Sequence, residues 1–491
     1  MPSFGFNPAN LTARKPLGLC VALFAFLLPR ITSADTSPPP HSPNLVVILA
    51  DDMGYSDLGC YGQTRYTTPR LDQLAREGVR FTDFYASQPV CSASRASLLT
   101  GVYANRLGIH GALGPSSRHG IHSDETTLGE LCQRAGYATA IFGKWHLGHL
   151  PAFLPLRHGF DEFYGIPYSN DMWPHHPTSG QKFPDLPTID GENVVGYNTD
   201  QTRFTTDLTE RTVDFIRRQH AAKRPFFVYL AHPMPHVPLH VSKERAGASG
   251  VGLYGDVIQE IDWSVGRVID TLAELRIDEN TLVLFLSDNG PWLSYGNHAG
   301  RADPLREGKQ TVFEGGVRVP FVARWPGALP AGRVVRTPAM NIDLFPTIAE
   351  LLRLPPATAE RPIDGRSIWP LLSGGSDEPA QEAYFFYFNQ NELQAMRSGP
   401  WKLVFPHTYR RMAGQTPGRD GFPGNYARSE TGLELYDMIA DPGETRNVAA
   451  DHLDVMTRLT ALAAQARADL GDALTGATGA DIREPGRVPA P

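Results

Sequence analysis

The sequence predicts an α/β protein: a large, mostly parallel sheet flanked by helices, then a smaller C-terminal subdomain of antiparallel sheet plus helix. Three observations predict it. Four short apolar runs, Asn44–Leu49, Ala138–Phe142, Phe226–Leu230 and Thr281–Leu286, read as strands buried on both faces. Between them, Thr68–Glu77, Thr127–Ala135, Thr206–Gln219 and Leu253–Leu275 carry helical patterning, and strand–helix alternation is the mark of a parallel sheet. Beyond about residue 375 the texture changes to short strands and turns.

Taken in order, the chain opens with Arg14 and Lys15 before the apolar run Leu17–Leu28, and Thr32-Ser33-Ala34 follows. This is the three-part pattern of a signal peptide over residues 1–34, and it predicts a secreted or periplasmic protein. The run falls short of the ~20 apolar residues that span a bilayer, so no stable membrane insertion is expected. Residues 35–43 form a Pro/Ser linker, and the main domain occupies 44–375, with Pro69 and Pro225 at element boundaries. In the C-terminal subdomain, residues 376–475, strands are expected at Ala383–Phe388, Gln394–Ser398, Trp401–Phe405 and Leu433–Tyr436. Ser398-Gly399-Pro400 and Asp441-Pro442-Gly443 read as turns, and His452–Asp469 as a helix. The Gly/Pro/Arg tail, residues 476–491, is expected to be disordered.

The composition, 41% hydrophobic and 20% charged, is that of a soluble globular protein. The net charge is −7, and loss of Arg14, Lys15 and Arg30 with the signal takes it to −10. That balance argues against nucleic acid as a partner, so any anionic substrate needs a local basic pocket. Three cysteines would remain, Cys60, Cys91 and Cys132, too few for a disulfide scaffold. At most Cys60 pairs with Cys132, which leaves Cys91 unpaired in an oxidising compartment.

Each of the four buried strands runs into residues that chemistry uses: Asp51-Asp52, then Lys144 and His146, then His232 and His236, then Asp288-Asn289. Ligands of open parallel sheets bind beyond the carboxyl ends of the strands, so neighbouring strands would bring these groups together. Singly, an Asp after a strand is more often a turn or a helix cap. The two pairs together offer only oxygen donors, which suit a hard divalent cation such as Ca²⁺ or Mg²⁺. Lys144 and His146, two apart, point the same way from an extended segment, and His236 ranks above His232 as a functional group.

The most specific signal is Cys91-Ser92-Ala93-Ser94-Arg95 followed by Leu98-Leu99-Thr100-Gly101. It resembles the sulfatase signature, in which the cysteine becomes formylglycine (3-oxoalanine). The blocks NLVVILADDMGYSDLG at Asn44–Gly59, GKWHLG at Gly143–Gly148, SDNG at Ser287–Gly290 and GKQTVFEGGVR at Gly308–Arg318 are similar to further blocks of that family, in family order. Leu435–Pro442 is similar to its C-terminal subdomain. Ala93 stands where the commonest form of the signature has proline, and the resemblance does not say which formylglycine-generating maturation enzyme reads this form.

The resemblance implies an alkaline-phosphatase-like fold and a sulfuric ester hydrolase acting on a sulfated small molecule or saccharide. It implies one Ca²⁺ held by Asp51, Asp52, Asp288, Asn289 and the modified residue 91. Lys144 and Lys309 would bind the sulfate oxygens, and Arg95 would hold the modified side chain and the ligands. One hydroxyl of the hydrated aldehyde would attack sulfur, with Asp288 as base, and give a covalent sulfo-enzyme; the other would lose its proton to His146 and expel sulfate. His236 and Lys309 would protonate the leaving alcohol. The variable region Pro167–Asn198, with Trp173, His175 and His176, would line the leaving-group pocket, and similarity around Gly143–Pro167 puts a sulfated sugar ahead of an aryl sulfate. Two rival readings are a phosphatase or phosphonate hydrolase of the same superfamily, and a non-catalytic sulfoglycan-binding protein. The all-oxygen donor set argues against the zinc sites of the first.

Overall fold

Leu45, Val47 and Leu49 enter one hydrophobic core, whereas Val46, Ile48 and Ala50 enter a second, so the first strand is covered on both faces. A computed structural model describes residues 42–356, 358 and 361–489; the expected signal segment and the linker through residue 41 lie outside the described residues. The strand Asn44–Ala50 lies at the centre of a ten-stranded sheet. Thr281–Ser287 pairs with it on one side and Phe226–Ala231 on the other, and Ala138–Lys144 and Glu162–Ile166 continue beyond the latter, all in parallel. The four strands expected from the sequence are therefore consecutive neighbours.

The pairing is also in register at the carboxyl ends. Ala50 lies opposite Ser287, Leu49 opposite Ala231, and Gly143 opposite Ala231, so Asp51, Asp288, His232 and Lys144 leave the sheet at nearly one level. Antiparallel pairings flank this parallel centre: Phe321–Arg324 pairs antiparallel with Thr281–Ser287 and with Val79–Phe81, which carries the parallel edge strand Arg333–Val335, and Pro187–Asp190 and Asn193–Tyr197 are added antiparallel at the other edge.

Helices cover both faces. Pro69–Glu77, Phe204–Ala221 and Leu253–Glu274 bury Leu71, Phe215 and Val265 against one face. Cys91–Thr100, Leu128–Arg134 and Leu344–Leu351 bury Leu98, Leu131 and Ile348 against the other. Thr127 and Glu130 form a reciprocal capping box that sets the start of the Leu128–Arg134 helix.

The C-terminal antiparallel sheet has the order Tyr384–Phe388, Glu392–Ser398, Trp401–Val404, Glu434–Asp437, and the helix Leu453–Leu470 lies on it through Leu459 and Ala463. A further hairpin, His407–Arg411 with Ala427–Thr431, has no counterpart in the sequence reading, because its strands are polar and half exposed.

One open question is answered and one expectation corrected. Cys60 and Cys132 do not pair with each other; they belong to cores on opposite faces of the sheet. The tail expected to be disordered from Gly476 is instead a strap as far as residue 489. Gly486–Arg487 pairs antiparallel with His119–Gly120, and Arg483 donates to Arg106 O (2.7 Å) from its backbone and to Glu125 (2.9 Å) from its side chain. Polar composition hid an ordering that rests on backbone pairing and ion pairs.

The two sheets are tied by a buried charge cluster. Lys402 is inaccessible to solvent, donates to Glu314 Oε1 (2.9 Å) and Val312 O (2.8 Å), and lies 2.9 Å from Glu444 Oε1. Glu314 also accepts from Tyr85 (2.9 Å) and Arg318 (3.2 Å). Burial lifts Glu444 above the usual carboxylate range; at Glu314 burial is outweighed by Lys402 and Arg318, which hold it low. Lys402→Met leaves Glu444 without a cation in the interior, while Glu314 keeps Arg318, and is expected to reduce the unfolding free energy at pH 7.5 by about 3–5 kcal/mol. Glu444, raised by burial, loses the cation that opposed that rise, so its folded-state pKa stays above the unfolded one and the deficit shrinks as the pH falls towards 5. Urea unfolding at both pH values measures this, and a variant with the wild-type midpoint at each would remove the cluster from the account of stability.

Candidate active site

Cys91 begins a helix whose first turn has no capping side chain, so its free N–H groups and positive dipole end surround the thiol. The side chain is 1% exposed. Its Sγ lies 3.3 Å from Asp51 Oδ1, 3.9 Å from Asp52 Oδ1 and 3.3 Å from Lys309 Nζ. Burial and then the Asp51 carboxylate push the thiol well up, so the unmodified residue is a neutral thiol rather than a thiolate.

Around it the strand ends supply three buried carboxylates and three other segments supply cations. Arg95 donates from Nε to Asp288 Oδ2 (2.9 Å) and from a terminal nitrogen to Lys144 O (2.8 Å), and reaches Asp51 Oδ2 at 3.3 Å. Lys144 donates to Asp51 Oδ2 and to Ser169 Oγ (3.1 Å). Lys309 donates to Asp52 Oδ2 (2.8 Å). Burial acts to raise Asp51, but Lys144 and Arg95 outweigh it and hold that carboxyl well below its usual range. Burial and the neighbouring Asp51 raise Asp288. Asp52 and His146 both sit in left-handed backbone conformations, with φ of 64° and 66°. For non-glycine residues this costs on the order of 1 kcal/mol or more, and such strain concentrates at functional sites.

Gly290 explains how the SDNG loop meets the loop of Lys309. A Cβ on Gly290 would lie 1.8 Å from Gly315 O, and the Gly290 N–H donates to Gly316 O at 2.9 Å. Only glycine allows that backbone approach.

The two histidines are held by carbonyls. His146 Nε2 is 2.8 Å from Leu113 O, and since a carbonyl only accepts, the proton is on Nε2. Nδ1 is then a buried lone pair with no partner. His236 Nδ1 donates to Val237 O (2.6 Å), which leaves Nε2 at 3.6 Å from Asp52 Oδ2. Burial, then Lys144 and Arg95, hold His146 well below its ordinary pKa; burial, then Lys309, lower His236. His232 instead meets Ser264 Oγ (3.1 Å) in the core, and burial lowers it to about 3.

A metal ion fits this donor set. Asp51, Asp52, Cys91 and His236 each bring one ligating atom within 4.8 Å of the others. Asn289 Oδ1 is buried without a hydrogen-bond partner, while its Nδ2 donates to Asp52 Oδ1 (2.7 Å). Asp288 Oδ1 accepts the Asp52 N–H (3.1 Å), so it borders the cluster but is turned towards Arg95. Three carboxylates and an orphaned amide oxygen are hard donors.

Several site residues escaped the sequence reading. Ser169 and Asp171 follow the fifth parallel strand, Glu162–Ile166, and the strand-end rule applied to that strand would have found them. Asp171 is 8% exposed, its Oδ1 has no partner, and its carboxylate acts on both His236 and Tyr295. Ser92 Oγ accepts the Leu113 N–H (2.9 Å), and Leu113 O is the partner of His146. Trp292 lies under Lys309, 4.6 Å from its Nζ, and 5.4 Å from the His236 ring. Of the variable-region residues, Trp173 packs on His240 (5.9 Å), His175 packs edge-on against Trp173, and His176 Nδ1 accepts from Thr178 and Ser179, a turn-forming role.

Comparison with known proteins follows the same lines. The family model for sulfatases matches residues 43–354, that for the C-terminal region of aryl-sulfatase residues 380–480, and that for the C-terminal part of N-sulphoglucosamine sulphohydrolase residues 307–408. The chain is 38% identical to N-acetylgalactosamine-6-sulfatase of Canis lupus familiaris, covering 87% of this chain and 86% of the relative. It is 39% identical to arylsulfatase A of Bos taurus, covering 86% and 88%. Among solved structures, the PsFucS1 sulfatase from Pseudoalteromonas sp. superposes with a TM-score of 0.77 at 26% identity, over 87% of this chain and 91% of that one. With the signature residues gathered at one strand-end pocket and these matches running along most of its length, the protein belongs to the sulfatase family and is a sulfuric ester hydrolase.

Proposed function

We propose that this sulfatase is an exported enzyme that removes sulfate from sulfated saccharides, with residue 91 as formylglycine and calcium held by Asp51, Asp52, Asp288, Asn289 and residue 91. The observation that carries the proposal is the placing of the Cys91 side chain. It lies at a helix N-terminus, between the Asp51 carboxylate and the Lys309 ammonium, with no cysteine partner among the described residues. Calcium would polarise the sulfate oxygens. The hydrated aldehyde would offer one hydroxyl to attack sulfur and a second whose deprotonation expels sulfate.

The remaining chemistry belongs to side chains. Lys144 and Lys309 oppose the negative charge of the sulfate oxygens, and Ser169 orients Lys144. Arg95 fixes the Asp51 and Asp288 carboxylates, and Asp288 takes the proton of the attacking hydroxyl. The free Nδ1 of His146 is the acceptor for the second proton. His236 Nε2 and Lys309 Nζ stand beside Asp52, where the leaving oxygen would take up a proton.

A saccharide is favoured over an aryl leaving group by Asp171. Its buried, unpartnered carboxylate oxygen beside His236 would go unsatisfied against an arene, whereas a sugar hydroxyl supplies a donor. Similarity to N-acetylgalactosamine-6-sulfatase supports the same substrate class.

Peptide mass spectrometry of active enzyme decides the first point: the peptide carrying residue 91 is expected to show the aldehyde or its hydrate, and a thiol alone would end this mechanism. Elemental analysis is expected to give one calcium per chain, with activity lost on chelation and restored by Ca²⁺; stoichiometric zinc would favour a phosphatase-like site. A third expectation concerns Ser92, which holds the Leu113 peptide that fixes the His146 tautomer. With rates normalised to formylglycine content, Ser92→Ala should slow the second step by about 10–100-fold, as supporting-shell changes do, and accumulate sulfated enzyme. Ser92→Thr should restore turnover. Equal slowing of both steps, or none, would refute the role.

A further inference from the structure

We propose that the hairpin His407–Arg411/Ala427–Thr431 forms a second anion-binding subsite beside the active centre, for a carboxylate or sulfate on the sugar unit next to the one being desulfated. The proposal rests on the saccharide reading above and adds to it the charge of the neighbouring unit.

Arg410 and Arg428 are directly opposite each other across the two strands. Like charges so placed repel and destabilise a hairpin. Among the described residues neither guanidinium pairs with a carboxylate; Arg410 donates to Gln310 Oε1 (2.7 Å). The nearest acid on that face of the hairpin, Glu430, lies opposite Thr408 and does not line the cavity. An anion between the two arginines would turn repulsion into a bidentate site of the kind that guanidinium groups form with carboxylates and sulfates.

The arginines open onto a cavity of about 420 Å³, within the size range of small-ligand sites, whose walls also include Gln310, Tyr409, Tyr426 and Phe388. No acidic residue lines it, in a chain whose net charge is −7. Its walls are braced: Arg306 donates to the Tyr409 hydroxyl (3.0 Å) and stacks 3.7 Å over Phe313. The cavity adjoins the reacting centre. Gln310 follows Lys309, and its N–H donates to Pro89 O (2.9 Å), two residues before Cys91. Tyr426 feels the charge of Lys309, and Tyr295 senses both Tyr426 and Asp171. A cavity walled by aromatic rings and ending on two cations therefore lies beside the loop that carries Lys309.

The test uses the mature full-length enzyme and the double variant Arg410→Gln/Arg428→Gln. Substrates are a small aryl sulfate, a sulfated disaccharide with a uronate as neighbouring unit, its carboxyl-reduced neutral analogue, and a disulfated disaccharide. Wild type is expected to prefer both acidic disaccharides over the neutral one by about 10–100-fold in kcat/KM, the worth of charge-assisted hydrogen bonds. The variant is expected to lose that preference through KM while keeping aryl sulfate turnover within about twofold. A preference confined to the uronate or to the disulfate identifies the anion.

Equal rates on acidic and neutral disaccharides in wild type, or equal losses on all substrates in the variant, would overturn the subsite. If wild type hydrolyses the aryl sulfate but no disaccharide, the saccharide reading falls. The subsite is then decided by inhibition of aryl sulfate turnover by the unsulfated uronate disaccharide. Inhibition in wild type that is lost in the variant upholds it, and none in either removes it.

Discussion

Asp51, Asp52 and Asp288 share a pocket from which water is excluded, and isolated carboxylates cannot remain charged in such a place. They persist because Arg95, Lys144 and Lys309 bring matching positive charge within hydrogen-bonding reach. Removing Arg95 leaves Asp288 uncompensated and removing Lys309 leaves Asp52 so, which is far more damaging than losing an exposed ion pair. This requirement explains much of the architecture. The acids come from the ends of two adjacent parallel strands, the cations from a helix, a third strand end and a distant loop, and all must be placed to within an ångström. The in-register ends of the central strands supply the common level. The glycine contact between residues 290 and 315 brings the last cation in.

The loop from Lys309 to Glu314 links this pocket to the rest of the molecule. One end contacts residue 91, and the other lies in the buried cluster with Lys402 and Glu444. The C-terminal sheet therefore does more than cover the main domain. It sets the far anchor of a loop whose near end carries Lys309 to Asp52 and residue 91, and its hairpin walls the cavity beside that loop.

The parts legible in the sequence were those whose physics is local. Strands buried on both faces must be continuously apolar, so Asn44–Leu49 and its three neighbours could be read directly, and Pro69 marked a helix start. The strand-end rule named Asp51, Asp52, Lys144, Asp288 and Asn289, and the structure gathers them round the Cys91 of the signature. What escaped reading depends on contacts between distant segments. The strands His407–Arg411 and Ala427–Thr431 are polar on both faces, and the terminal strap is ordered by pairing with residues 119–120. Ser92 is a hydroxyl like any other until the Leu113 peptide is seen against it, and nothing local reveals that Asp52 and His146 adopt left-handed backbones.

The burial of Cys91 also bears on the order of events during synthesis. The thiol is enclosed by side chains from residue 51 through residue 309, and the strand Thr281–Ser287 inserts beside Asn44–Ala50 more than 230 positions later in the chain. Until that strand and the loop of Lys309 have emerged and docked, the first strand has a vacant edge and the Cys91 helix has no roof. At about 5–20 residues per second, the interval between the appearance of residue 91 and that of residue 309 lasts on the order of ten to forty seconds. A protein-sized agent could reach this side chain during that interval, whereas in the finished fold it is only 1% exposed.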